Sequence, residues 1–107
     1  HRTDIVSEST LNEVFRPVVR TYKERRYFRA WPAPKEAYYA HGWRVLVSGS
    51  DTIVCHGGAV NGFRGEIAID RKNGIAICAL FNAATDMPGL CIPAFFERYR
   101  KVMAAQK

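Results

Sequence analysis

The alternation of apolar and polar positions divides the chain into a short N-terminal helix, an irregular stretch, a series of strands and a C-terminal helix. Leu11, Val14 and Phe15 recur at i, i+3 and i+4, the spacing of one helical face. This predicts a helix over 6–15. Ser7 stands at the N-cap, and Glu8 lies in the first turn, where a carboxylate meets the positive end of the helix dipole. Val6 and Leu11 occupy the two hydrophobic-staple positions around that cap. Pro17 ends the helix, because its ring crowds the preceding residue out of helical dihedrals. Residues 16–36 follow neither period and close on Pro32 and Pro34, which predicts a long irregular connection. A loop of that length in a small domain is usually functional or ordered by something else.

Strand-like runs then cover 38–47 (interrupted by Gly42), 52–56, 63–70 and 75–81. Ser48-Gly49-Ser50-Asp51 has hairpin-turn chemistry, and Arg71-Lys72-Asn73-Gly74 contains an Asn-Gly pair that tolerates positive φ. Short connections between consecutive strands imply antiparallel neighbours. In the last segment Ile92, Phe95, Phe96, Tyr99, Val102 and Met103 form an apolar stripe at helical spacing. This predicts a helix over 90–104 with Glu97, Arg98, Arg100 and Lys101 outward, and with Arg100, Lys101 and Lys107 suiting the negative end of the dipole. The predicted class is α+β: an antiparallel meander of about four strands, an N-terminal helix, and a C-terminal amphipathic helix packed on one sheet face.

The length of 107 residues fits one domain. With 48% hydrophobic and 24% charged residues the composition is that of a folded chain, not a disordered one. No apolar run approaches the roughly 20 residues of a membrane-spanning helix, so no transmembrane segment is expected. No signal peptide is visible at His1-Arg2-Thr3-Asp4 and no initiator Met is present, which suggests a processed chain or a fragment. The net charge of +6 concentrates in Arg16, Arg20, Lys23, Arg25, Arg26, Arg29 and Lys35, interleaved with Tyr22, Tyr27, Phe28 and Trp31. No nucleic-acid recognition motif accompanies these residues. A solvated surface, or one facing acidic groups on a missing partner, explains them better, and no nucleic-acid partner is expected. Cys55, Cys78 and Cys91 are odd in number and lack Cys-x-x-Cys spacing, against a zinc site or a disulfide scaffold. Cys55 and Cys78 read as small buried hydrophobes. A catalytic Cys55–His56 pair is disfavoured because consecutive strand residues point to opposite faces. No cofactor or metal is expected.

The segment Val54-Cys55-His56-Gly57-Gly58-Ala59-Val60-Asn61-Gly62-Phe63 carries the chemistry. A strand that ends in a histidine and breaks into glycines can bring backbone N–H groups and an imidazole against a bound molecule, because no Cβ stands in the way. The plain alternatives are an ordinary strand histidine at His56, a bulge or turn at Gly58 and Gly62, and a turn cap at Asn82.

His56-Gly57-Gly58-Ala59-Val60-Asn61-Gly62-Phe63 resembles the His-x-Gly element of the serine β-lactamase and penicillin-binding protein family, in its class C and esterase branch. Tyr39-Ala40-His41-Gly42-Trp43 resembles that family's Tyr-Gly-Leu-Gly-Trp strand, with Ala and His at the second and third positions. Gly74-Ile75-Ala76-Ile77-Cys78-Ala79-Leu80-Phe81-Asn82 resembles its strand ending in asparagine beside the active site. In order and spacing these motifs match only the C-terminal part of the family's fold. The resemblance implies that His56 holds a position often taken by lysine and hydrogen-bonds the substrate carboxylate or the catalytic tyrosine. It also implies that Gly57 and Gly58 let the substrate lie along the strand edge, that the Ala59 N–H is an oxyanion-hole donor, and that Asn82 is a peripheral substrate contact. Three residues after Ser7, Ser9, Ser48 and Ser50 stand Thr10, Asn12, Asp51 and Ile53, so no Ser-x-x-Lys exists. No Tyr-x-Asn or Tyr-x-Ser exists either. The nucleophile and base are therefore absent.

By this resemblance the chain is the C-terminal fragment of a serine hydrolase of β-lactamase, D-alanyl carboxypeptidase or esterase type, inactive alone. Its partner would be the missing N-terminal catalytic portion, which adds a strand to the sheet and covers its other face. The intact enzyme's substrate would be a β-lactam, a D-peptide or an ester, and its place the periplasm. An incompletely covered sheet edge or face would also favour homo-oligomers. Two other readings stand beside it: a non-enzymatic binding or oligomerisation module using residues 16–36, and a small Cys- or His-dependent hydrolase acting alone.

Overall fold

The computed structural model describes residues 4–20, 22–32, 35–48 and 50–106, without the side chains of Tyr22, Glu24 and Arg25. The readings that involve residues 1–3, Gly49, Pro34 and Lys107 lie outside the described residues.

The first helix, α1 (Glu8–Val14), begins as its cap predicts: Ser7 is extended (φ −68°, ψ 154°) and its Oγ accepts the Thr10 N–H at 3.2 Å. The basic stretch is not irregular throughout. It contains a helix of six residues, α2 (Tyr22–Tyr27), and its last residue begins a strand. Six residues are too few to show a helical period, and Phe28 and Trp31 after α2 are what hold the segment in place. Phe28 is fully buried against the sheet.

Among the described residues five strands, where about four are expected, form one antiparallel sheet in the order β1 (Glu36–Tyr39), β2 (Arg44–Ser48), β3 (Asp51–Val60), β4 (Phe63–Asp70) and β5 (Ile75–Phe81). Gly42 explains the extra strand. Its φ of +79° turns the chain back on itself, and the run read as one interrupted strand is the β1–β2 hairpin. Asp70 is buried and accepts the Asn73 backbone N–H at 3.1 Å and the Asn73 side-chain amide at 2.8 Å, closing the β4–β5 turn.

The C-terminal helix α3 (Met87–Ala105) begins three residues before the predicted start and runs through Pro93. Pro88 sits in the first turn, where a missing N–H costs nothing. Ile92 and Phe96 are buried, whereas Val102 and Met103 remain about 40% exposed, so only the first half of the apolar stripe reaches the sheet.

Two cores lie on opposite faces of the sheet. On one face α3, α2 and the segment after α2 cover Ala37, Leu46, Ile53, Cys55 and Ala68. Trp31 and Phe96 meet there with ring centroids 5.7 Å apart, and Arg100 ties α3 to Asp51 at 3.2 Å. On the other face Ala40, Val45 and Val54 pack with Phe15, Trp43 and Ile69. Phe15, just beyond α1, contacts the edge of Trp43 at 5.3 Å. That second cover is small and does not extend along β3, β4 and β5.

Candidate functional site

The glycine-rich segment is placed by a hairpin. Strand β3 does not stop at His56 but continues to Val60, and Asn61-Gly62 turns it into β4. Both turn residues have positive φ (46° and 82°), as a type I′ turn requires. In a two-residue hairpin the closing pair, here Val60 and Phe63, exchanges its hydrogen bonds, and bonded pairs alternate from there. Gly58 and His56 therefore bond to Gly65 and Ile67, while Gly57 and Ala59 direct their N–H and C=O groups away from β4. The same alternation carried across to β1 turns the Tyr39 N–H outward. It donates there to the Val19 carbonyl at 2.7 Å, as the alternation demands.

Strand β2 begins at Arg44, opposite Cys55. Beyond that pair no strand among the described residues reaches β3. The N–H groups of Gly57 and Ala59 thus line a bare edge. At its inner end stand His56 and Tyr39, with Nε2 and Oη 3.5 Å apart.

Side chains alternate too. Cys55 points into the helix-covered core and is buried, whereas His56 points to the other face, so the two are not a catalytic pair. Cys78 shares the His56 face, through Ile67, and is exposed, which corrects the expectation that it is buried. On this face Val60, Phe63 and Leu80 are 69%, 62% and 80% exposed. Apolar side chains of this size are normally hidden, and their grouping is a feature to be explained. A broad open hollow of about 910 Å³ spreads over them. All five residues singled out from the sequence, His56, Gly57, Gly58, Ala59 and Asn82, line it.

The two adjacent glycines serve different purposes. A Cβ on Gly58 would meet nothing within 4 Å, so this position is open to a ligand. A Cβ on Gly57 would stand 2.7 Å from the Tyr27 hydroxyl, on the helix-covered face. Gly57 is therefore required by packing, and only its backbone faces the edge. Beneath it the Tyr27 hydroxyl donates to Glu66 Oε1 at 2.7 Å, and Glu66 is buried. Burial first, and then this bond, push the Tyr27 hydroxyl well above the ordinary tyrosine range. The Arg44 guanidinium lies 3.9 Å from the centre of the Tyr27 ring and 5.7 Å from that of Tyr39.

Sequence reasoning did not find Tyr27, Tyr39, Arg44 or Glu66. Glu66 carried a usable signal, a carboxylate at an inward position of an alternating strand. The Asn61-Gly62 pair was an equally plain hairpin signal. The basic patch is partly consumed within the chain: Arg16 pairs with Glu13, Arg20 with Glu36, and the Lys35 ammonium donates to the carbonyls of Phe28 and Trp31. Among the described residues no three His, Cys, Asp or Glu side chains gather as metal ligands, and no helix is long and apolar enough to cross a membrane. No family model, curated protein or solved structure matches the chain.

Proposed function

We propose that the chain is the C-terminal portion of a serine hydrolase acting on amide or ester bonds, of the β-lactamase, D-alanyl carboxypeptidase or esterase type, and that it forms one wall of that active site. The observation that carries this reading is the bare edge of β3. There the Gly57 and Ala59 N–H groups point outward beside His56, above an open apolar face.

Acyl transfer needs a nucleophile, a base and donors for the oxyanion that forms when the carbonyl is attacked. This chain supplies the last of these. The Ala59 N–H is held by the hairpin, so it needs no reorganisation to meet a negative oxygen. His56 stands two strand positions before Gly58 on the open face, within reach of a substrate carboxylate lying over Gly58. Asn82, after the end of β5, borders the far side of the hollow. The nucleophilic serine, its lysine and the base belong to the missing portion, which would also cover Val60, Phe63 and Leu80. The chain alone then turns over nothing.

The test is complementation. Nitrocefin and p-nitrophenyl esters are offered to the chain, to an N-terminal fragment carrying Ser-x-x-Lys, and to the mixture. Hydrolysis by the mixture alone, lost with His56→Ala, is expected. Hydrolysis by the chain alone, or none in any mixture, removes the reading. Salt-dependent binding to nucleic acid or anionic lipid would turn attention to the basic residues that remain exposed, such as Lys23, Arg26 and Arg29.

A further inference from the structure

The two edges of the sheet are guarded differently. On the β1 side Val19 bridges to Tyr39, and Glu36, paired with Arg20, places charge along the strand. Among the described residues the β5 side has none of the usual protections. Ile75-Ala76-Ile77-Cys78-Ala79-Leu80-Phe81 contains no charge, no proline and no glycine, and its ladder to β4 runs unbroken from Ile75 to Phe81. By the hydrogen-bond alternation set at the β3–β4 turn, Ile75, Ile77, Ala79 and Phe81 bond to β4. Ala76, Cys78 and Leu80 then direct their N–H and C=O groups to the open edge.

We propose that this edge pairs with the same edge of a second copy of the chain, antiparallel and centred on Cys78, giving one continuous sheet of ten strands, five from each chain. The strand is self-complementary in that register. Cys78 faces Cys78 of the second copy. Ala76 faces Leu80, Ile77 faces Ala79, and Ile75 faces Phe81, so every pair is apolar and bulky side chains meet small ones in the inner pairs. No like charges oppose within the strand, although the chain as a whole carries +6. A one-residue slip would break this, because it would put side chains of the open face opposite side chains of the helix-covered face. Helix α3 lies over β4 and β5 on the covered face, so the two-fold operation sets the two α3 helices side by side and joins the two cores. On the open face it brings the two exposed Leu80 side chains over Ala76 of the opposite chain.

The register makes a thiol test possible. Directly opposite residues in a bonded antiparallel pair have Cα atoms about 5.5 Å apart, within the span of a disulfide. Cys78 is exposed, Cys55 is buried and Cys91 is half-buried. Diamide, which takes two electrons and two protons from a pair of thiols, or a short bismaleimide should therefore link two chains through Cys78. The proposal rests on the β5 edge, for which a strand added by the missing N-terminal portion would compete, but its readout needs no substrate. The dimer is read by sedimentation and the hydrolase reading by turnover, so failure of one is distinguishable from failure of the other.

The experiment is sedimentation of the chain with and without diamide, followed by mapping of the bridged peptide. A dimer with a Cys78–Cys78 bridge is expected. Cys78→Ser should keep the dimer and lose the bridge. Cys78→Lys sets two ammonium groups face to face at an exposed position and should give monomers of unchanged circular dichroism. Ala76→Pro removes an N–H that β4 does not use, and should likewise give folded monomers. A monomer at hundreds of micromolar, with Cys78 alkylated but never bridged, overturns the proposal and leaves the edge to a strand from outside this segment. So does a dimer that survives both Cys78→Lys and Ala76→Pro.

Discussion

Replacing Gly57 by alanine isolates what the tyrosine beneath β3 contributes. The new methyl would stand 2.7 Å from the Tyr27 hydroxyl, 3.5 Å from the Gly65 carbonyl oxygen and 3.6 Å from the Glu66 carboxyl carbon. The last two are ordinary contacts. The first is not, and one atom must move. The hydroxyl is the far end of a side chain, but it is held by its 2.7 Å bond to buried Glu66, and its ring is set edge-on to Phe28 at 5.2 Å. Moving it lengthens or breaks a hydrogen bond to a charged group, worth about 1.5–3 kcal/mol. Against this, alanine restricts the unfolded chain and returns about 0.4–1 kcal/mol. The expected net loss is about 1–2 kcal/mol, measured by urea unfolding. Gly58→Ala is the matched control. It meets nothing within 4 Å, so only the entropic gain applies and stability should hold or rise. A double-mutant cycle completes the argument. Phenylalanine at position 27 lacks the clashing oxygen, so Gly57→Ala should cost much less in a Tyr27→Phe background. If Gly57→Ala is as stable as Gly58→Ala, or if its cost is unchanged by Tyr27→Phe, the packing argument is wrong.

Alkaline titration examines the same tyrosine from another side. Its folded pKa is raised, so its contribution is complete below the unfolded value of about 10 and declines as pH rises beyond it, since the unfolded chain loses the proton first. Part of the stability lost above that pH should disappear in Tyr27→Phe, and identical pH profiles for the two proteins would refute the assignment. Phe96 is fully buried and contacts both Trp31 and Phe95. Its replacement by alanine should cost about 3–5 kcal/mol, whereas Val102→Ala, on the exposed half of the same stripe, should stay within about 1 kcal/mol in thermal or urea unfolding.

Alternation and turn chemistry were sufficient to read the α+β class, the antiparallel meander and the C-terminal helix, because each of those signals is local. The misreadings have local causes of the same kind. In the sequence Gly42 reads as an interruption, although a glycine at positive φ between two β-type runs is what a turn requires. Glycine weakens a strand, so the sequence pattern ends β3 at His56, but the Asn61-Gly62 turn extends the pairing through both glycines. Helix α2 left no period to detect, and its neighbour Phe28 is fixed by the sheet, not by its own sequence. The site was half legible. His56, Gly57, Gly58, Ala59 and Asn82, which stand out in the sequence, line one hollow. The Tyr27–Glu66 bond spans 39 positions of chain, and no local pattern announces a contact of that range.

The strand order has a consequence for how the chain folds. Among the described residues every strand pairs with its neighbour in sequence, and the strand order shows no crossover. Each pairing closes only a short loop, so its entropic cost is small and hairpins can zip outward from β3 and β4 without waiting for distant chain to arrive. The contact of longest range in sequence is a different one. Phe28 and Trp31 must meet Ile92 and Phe96 over the finished sheet, and the whole meander lies between them. Across that distance the helices act as a clasp that joins the two ends of the chain. A chain interrupted before Ile92 would keep every residue its hairpins need and leave the inner face of the sheet only α2, Phe28 and Trp31 for cover.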